Sequence, residues 1–373
     1  LLARAARAGA TAAPATALVA ALTALGVGHP EEALRAAVAA GGIVADPDPA
    51  LLAAAALAAA EDDVAENVER LLVTADDPGG AVVVVTGCCP EARLPALHEL
   101  LAAGSAAPAV VADAGGGAAA RLAAALLLPV AAAAELARGD AGVVVVAEAQ
   151  RVDAPGFASV LEAIPDGARL VVEGDVAARP GRGAGDVFAD LVSSGVLPVT
   201  EHLCPVPAEV ATPRDLAHAV RAGDLPPLRS PDHTLVALAV EDDPQCVARA
   251  EQLVRVSVPR AFSLTTPDIA VLTPLRRGPA GADALAVALP GSPVLTVDEA
   301  ADRLFPAAVV VLPAGAAGVL SRPLVHAALR TATRHLSVVH ATGPGLAAAV
   351  AAVGRHRRTT RLPGLLRAGR LGG

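Results

Sequence analysis

The sequence predicts an α/β protein made of two parallel-sheet lobes preceded by a small helical region. Three observations predict it. From residue 80 onward, short β-branched runs alternate with helical segments, the pattern of parallel strands joined by covering helices. These runs form two clusters, one before and one after a Pro-rich irregular zone near Leu203–Pro231. Ahead of them, residues 1–75 carry mainly helical apolar spacing. The 373 residues suffice for two or three domains at about 100–200 residues each. The expected division is 1–75, 76–205 and 206–373, the last with a basic tail.

In the first region, Leu18–Leu25, Glu31–Ala40 and Leu51–Leu72 have helical spacing, and Gly26-Val27-Gly28 reads as a tight turn between the first two. Gly41-Gly42-Ile43-Val44, followed by Asp46-Pro47-Asp48-Pro49, reads as a short strand and turn. Helix, turn, helix and β-wing together give a winged-helix-like pattern. In the first lobe, Val82–Val85, Val143–Val146 and Leu170–Val172 are continuous apolar strands. In the second they are Ile269–Leu272, Val309–Leu312 and Leu336–Val339. Ligands of such sheets bind at the carboxyl ends of the strands.

Composition limits the function. The chain is 54% hydrophobic and only 1% aromatic, its cations are all Arg, and its formal net charge is −9. Binding nucleic acid by overall charge would need a basic protein. Only the last stretch is basic, with Arg355, His356, Arg357, Arg358, Arg361, Arg367 and Arg370; it reads as a solvated tail or, more sharply, as a phosphate-contacting patch. Cys88, Cys89, Cys204 and Cys246 lack metal-ligand spacing, and the expected compartment is a reducing cytoplasm. The apolar runs break well short of the roughly 20 residues that span a bilayer, so no membrane partner is expected. The sequence opens on Leu1 rather than Met, which leaves N-terminal truncation open.

The first strand of lobe 1 ends Val85-Thr86-Gly87, followed by Cys88-Cys89-Pro90-Glu91-Ala92-Arg93-Leu94 and a helix. This is the position and length of a phosphate loop, G-x-x-x-x-G-K-[ST], whose chemistry needs a bare second Gly, a Lys for the phosphates and a hydroxyl for Mg²⁺. Ala92, Arg93 and Leu94 stand there instead. Pro90 removes one N–H from a loop that works by aiming N–H groups at an anion. Arg93 keeps a positive charge, but its planar fork does not replace a compact ammonium. Val143–Val146, then Ala147 and Glu148, follow the outline of a Walker B strand; Glu148 stands where a water-activating carboxylate belongs, while Ala147 cannot hold a metal.

Downstream, Ile164-Pro165-Asp166-Gly167-Ala168-Arg169-Leu170-Val171-Val172-Glu173-Gly174-Asp175, then Pro180, Gly183 and Gly185, resembles the core of RecD-type superfamily 1 DNA helicases, where the pattern runs L-P-D-G-A-R-L-V-L-V-G-D-x-x-Q-L-P-x-V-x-x-G. Val271 through Gly281 resembles the family's motif IV segment, and Val309–Pro313, Leu320–Val325 and His335–Val339 resemble the stretch through motifs V and VI. The resemblance spans roughly residues 60–365. It implies two RecA-like lobes, ATP with Mg²⁺ as cofactors, single-stranded DNA as partner, and work in DNA recombination and repair. The implied nucleotide-binding residues are Thr86, Gly87, Arg93, Asp175 and Arg276.

The departures fall on the chemistry. The motif III Gln is Ala178, the motif VI Arg is Thr331 with Arg330 or Arg334 as the possible substitute finger, and the segment that normally reads A-P-T-G-R-A-A is Ala112 through Ala118 without its Arg. Only Asp283–Val297 separates motifs IV and V, so the small DNA-clamping insertion common in the family is missing. An arginine finger alone contributes about 10³–10⁵ in rate, or roughly 4–7 kcal/mol of barrier. The expectation is therefore a RecD-like homologue with impaired ATP binding and hydrolysis that acts as a DNA- or protein-binding scaffold. Two alternatives stay open: an active helicase using Arg93, Glu148 and Arg330 or Arg334, and a protein-interaction module that binds no nucleotide.

Overall fold

A computed structural model describes residues 1–47, 50–103, 108–114, 118–205, 209–300, 303–352 and 358–369. By contact, the chain divides into two compact units. One comprises Leu1–Val176, Pro180–Leu203 and His356–Gly373; the other comprises Ala177–Arg179 and Cys204–Arg355.

The first unit begins with helix Leu2–Arg7, followed by a three-stranded antiparallel sheet and two further helices. Strands β1 (Ala12–Pro14), β2 (Ile43–Pro47) and β3 (Ala50–Ala54) lie in the order β1-β3-β2, with helices Ala15–Ala24 and Pro30–Ala39 between β1 and β2. Gly26 closes the turn after helix Ala15–Ala24 at φ +81°, a backbone conformation that glycine takes without steric cost. This is the winged-helix-like arrangement that the sequence predicts. One boundary differs. The helix expected over Leu51–Leu72 is Ala55–Thr74, and Leu51 and Leu52 belong to β3. Both leucines are buried and paired across the small sheet, so tertiary packing overrides the helical spacing of an Ala-rich run.

The larger sheet of this unit contains β4 (Val82–Gly87), β5 (Ala109–Ala112), β6 (Val130–Ala131), β7 (Val143–Val146), β8 (Arg169–Gly174) and β9 (Val199–His202), in the order β6-β5-β7-β8-β4-β9. Every pair is parallel. Alternate residues of each strand serve opposite faces. Val82, Val84, Val144 and Val172 pack with Val64, Val68 and Leu71 of helix Ala55–Thr74 and with Phe157 and Phe188. Val83, Val85, Val145 and Val171 pack on the other side with Leu97 and Leu122. Burial on both faces explains why these strands read as unbroken apolar runs.

The second unit contains β10 (Leu235–Ala239), β11 (Ile269–Thr273), β12 (Val294–Thr296), β13 (Phe305–Leu312) and β14 (Ala332–His340), ordered β10-β14-β13-β11-β12 and again all parallel. Its two core layers alternate in the same way. Leu272, Val310 and Val338 face one layer, and Val271, Val309 and Val339 face the other. The fold is therefore α/β, with two parallel-sheet lobes that follow a winged-helix-like region in the sequence. Among the described residues, no helix is long and apolar enough to cross a membrane.

The C-terminal segment belongs to the first unit, although the sequence places its basic tail with the second lobe. Leu362 and Leu366 of helix Leu362–Gly369 join the core of the first unit. The Arg358 guanidinium donates to the backbone oxygens of Gly183 and Gly185, each at 2.8 Å. Arg361 is buried and donates to Ala58 O at 3.2 Å and Asp62 Oδ1 at 3.1 Å. Apolar side chains one helical turn apart (Leu362, Leu366) decide the location, and local charge does not.

Candidate functional site

Strand β4 delivers Thr86 and Gly87 to its carboxyl end, next to β8 on one side and β9 on the other. Helix Pro90–Ala103 begins three residues later, with Pro at its start, where a missing N–H is tolerated. Only Cys88 and Cys89 remain as a connection. Their neighbourhood holds few N–H groups for an anion. Cys88 N donates to His202 O at 3.2 Å, Ala92 N donates to Cys89 O at 3.2 Å, and Pro90 has no N–H to give. The wide loop that would wrap phosphates is replaced by a tight strand-to-helix junction.

Gly87 is required here for close approach. A Cβ at this position would lie 2.4 Å from His202 O of the neighbouring strand. That demand stands whether or not an anion binds. At Gly174, at the end of β8, a Cβ would meet Gln150 Oε1 at 2.3 Å.

Arg93 projects from the first turns of the helix back under this junction and is only 1% exposed. Its Nε donates to Glu173 Oε2 and one terminal nitrogen donates to Glu148 Oε1, forming two buried ion pairs. The other terminal nitrogen donates to Gly87 O at 2.9 Å. Glu173 Oε1 accepts from Glu148 N at 2.7 Å, and Glu148 Oε2 accepts from Gln150 Nε2 at 2.8 Å. Gln150 Oε1 in turn accepts from Asp175 N at 3.1 Å. Glu148 adopts a left-handed conformation, φ +46° and ψ +46°. Such a backbone costs a non-glycine residue about 1–2 kcal/mol, and the bonds at its amide and both carboxylate oxygens hold it there.

The electrostatics are those of a closed, acid-rich cluster. Burial alone would lower the pKa of Arg93, but Glu173, then Glu148 and Asp175, outweigh it and raise the pKa, so the guanidinium stays charged. Burial pushes the Glu173 carboxyl above the usual carboxylate range, partly countered by Arg93 and reinforced by Glu148. Arg93 is engaged by Glu173, Glu148 and Gly87 O, so it offers a polyphosphate little of the positive potential on which anion sites at this position work. Thr86 Oγ1 is buried and, among the described residues, without a hydrogen-bond partner.

Five of the sequence-predicted site residues therefore gather at one end of one sheet: Thr86, Gly87, Arg93, Glu148 and Asp175. Arg276, Arg330 and Arg334 lie in the second unit. Arg276 follows β11 and pairs with Glu299 and, at 3.5 Å, with Asp283; its side chain is 51% exposed. Arg330 ends helix Arg322–Leu329. Arg334 lies on β14, where it donates to Phe262 O at 3.3 Å. Thr331, where a finger would stand, is buried and donates to Ala328 O at 2.8 Å. Ala147, where a metal-binding Asp would stand, is a buried core residue. Residues 115–117, in the altered phosphate-side segment, lie outside the described residues, as do Arg355, His356, Arg357 and Arg370 of the tail.

Sequence reasoning did not single out Glu173 or Gln150. A signal for Glu173 was present: it is a charged residue inside an apolar strand, at a position where the resembled helicase pattern has Val. The Arg at position 93 and the Glu at position 173 depart from that pattern together and are bonded to each other.

No family model matches the chain. Among solved structures, it is similar to an arterivirus helicase, nonstructural protein 10, at 15% identity, with 74% of this chain and 61% of that one covered and a TM-score of 0.43. The same viral helicase in a complex with DNA covers 78% of this chain and 61% of its own at 17% identity and a TM-score of 0.36. The Escherichia coli DEAH/RHA helicase HrpB covers 79% and 44% at 11% identity and a TM-score of 0.40. The chain thus spans less than two thirds of the length of each of these proteins.

Proposed function

We propose that this chain is a RecD-like helicase homologue whose phosphate site is filled by its own side chains, and that it acts as a binding scaffold without turning over ATP. The observation that carries this reading is Arg93. In a working site the cation at this position reaches outward to nucleotide phosphates. Here it is buried and satisfied by Glu173, Glu148 and Gly87 O. To bind a phosphate, it would have to leave two carboxylates behind in a low-dielectric interior. Breaking a buried pair in that way costs about 3–5 kcal/mol, enough to weaken binding by two to four decades.

The missing Walker B Asp at Ala147 and the hydrophobic Leu94 support the same reading, since neither offers Mg²⁺ a ligand. Of the two scaffold roles, protein binding has the better support. The tail cations Arg358 and Arg361 are engaged with backbone oxygens and a carboxylate, and the net charge is −9.

Thermal melting with and without Mg²⁺-ATP tests the proposal. A ligand at 100 times its Kd stabilises by about 2.7 kcal/mol, an upward shift of several degrees. The expected result is no shift and no turnover with single-stranded DNA. DNA-stimulated hydrolysis would overturn the proposal and favour the active-helicase alternative.

A further inference from the structure

Away from the phosphate site, the first unit carries a groove of about 670 Å³ between helix Ala55–Thr74 and helix Leu362–Gly369. Its walls are of two kinds. Leu72, Val73 and Leu365 supply an aliphatic floor, and Asp62, Glu66 and Glu69 supply a carboxylate rim. Residues 62, 66, 69 and 73 follow one another at helical i, i+4 and i+3 steps, so they form a single stripe along the first helix. Among the described residues, no cationic side chain lines the groove.

Two features mark the Glu66–Val73 part of this stripe as unpartnered among the described residues. Val73 is 76% exposed, one of the more exposed large aliphatic side chains among the described residues. Asp62 accepts from Arg361, but Glu66 and Glu69 have no ion pair among the described residues. In a long surface helix, unpaired acids one turn apart repel each other slightly, and an exposed aliphatic beside them gains nothing in the isolated chain.

We infer that the groove docks a basic amphipathic helix of a partner protein. Its apolar face would seat on Leu72, Val73 and Leu365, and its Arg or Lys side chains would meet Glu66 and Glu69. In helix-in-groove recognition the docked helix presents apolar anchors at i, i+3 or i+4 and i+7, and the aliphatic floor is where they would seat. Opposite charge at the rim sets orientation and speeds encounter. The assignment is independent of whether the phosphate site binds nucleotide.

The test is fluorescence anisotropy of a labelled helical peptide with Leu at the anchor spacing and Arg on its flanks, titrated with the full chain. Saturable binding is expected, weakened at least 10-fold by the double variant Glu66→Arg, Glu69→Arg and by Val73→Asp. Val287→Asp, which changes an aliphatic of the second unit that is 83% exposed, should leave it unchanged. Undiminished binding by the charge-reversed chain would mean bulk electrostatics only and would overturn the assignment. So would equal affinity for a peptide with Glu in place of Arg. Truncation after Gly369 that raises affinity 10-fold would make the chain's own tail the occupant. Concentration-dependent dimerisation lost in Val73→Asp would make it a second copy. Either result overturns the partner assignment. If the charge-reversed chain fails to fold by circular dichroism, Glu66→Gln with Glu69→Gln replaces it, with at least a 3-fold loss expected and no loss overturning the inference.

Discussion

Arg93 and Arg276 have the same side chain, and each meets two carboxylates, yet they do opposite work. Arg93 is 1% exposed and bonded to Glu148 and Glu173 under the β4 junction. Arg276 is 51% exposed and pairs with Asp283 and Glu299 at the surface of the second unit. Burial makes the difference. In a low-dielectric interior, neither partner can be withdrawn without leaving an uncompensated charge. At the surface, water takes over whatever the partner gives up. The first cluster is a fixed part of the fold, whereas the second leaves its cation available.

The largest effect is expected at Arg93. Arg93→Met keeps most of the volume but takes from Glu148 and Glu173 the guanidinium to which both are bonded. A loss of about 3–5 kcal/mol is expected, read from urea denaturation. Adding Glu173→Val should restore part of it, because the two sites are bonded and their effects are not additive; a coupling of about 0.5–3 kcal/mol is typical. If Arg93→Met were nearly neutral without nucleotide, Arg93 would not be locked and the proposal of a self-filled site would fall with it.

Burial also governs a carboxylate of the first unit. Glu61 of helix Ala55–Thr74 is 1% exposed. It accepts from Thr11 Oγ1 at 2.7 Å and from Arg361 N at 2.9 Å, tying the N-terminal module and the C-terminal segment to the helix. Burial raises its pKa above the ordinary carboxylate value, although the bonds from Thr11 and the Arg361 amide pull the other way. The folded protein therefore holds this proton where the unfolded chain releases it. The stabilising contribution is full below the unfolded value near 4.5 and is lost as pH rises through the folded value. Glu61→Gln removes that titration. The stability of the variant relative to the parent should rise from pH 4 toward pH 7, measured by melting across the range. A constant difference would show that Glu61 titrates alike in both states.

Much of the fold was legible because its central strands are buried on both faces. Val82–Val85, Val143–Val146 and Val309–Leu312 have no polar alternation to obscure them. The less legible strands lie toward the sheet edges. β9 (Val199–His202) is polar at three of its four positions and mostly exposed, and β12 (Val294–Thr296) is three residues long. At the candidate site, the position of the junction could be read from Thr86 and Gly87, but the state of Arg93 could not. Spacing along the chain assigns Arg93 to a motif; only the neighbouring strand shows that Glu173 holds it. Likewise the basic composition of the tail reads as a solvated tail or a phosphate-contacting patch, while Leu362 and Leu366 belong to a core.

The smallest expected effect lies at the other end of the comparison. Arg276→Ala removes a half-exposed cation from Glu299 and Asp283. Glu299 does not depend on it: its pKa is lowered first by the Thr296 backbone N–H, next by the Thr296 hydroxyl, and only then by Arg276. Those Thr296 bonds, each 2.9 Å, remain in the variant. Exposed pairs contribute about 0.2–1 kcal/mol, so a change within about 0.5 kcal/mol is expected in the same urea measurement. A loss comparable to that of Arg93→Met would mean that burial is not what separates the two arginines. A small loss leaves Arg276 as a cation the fold does not need, and so the better of the two for meeting an anionic ligand.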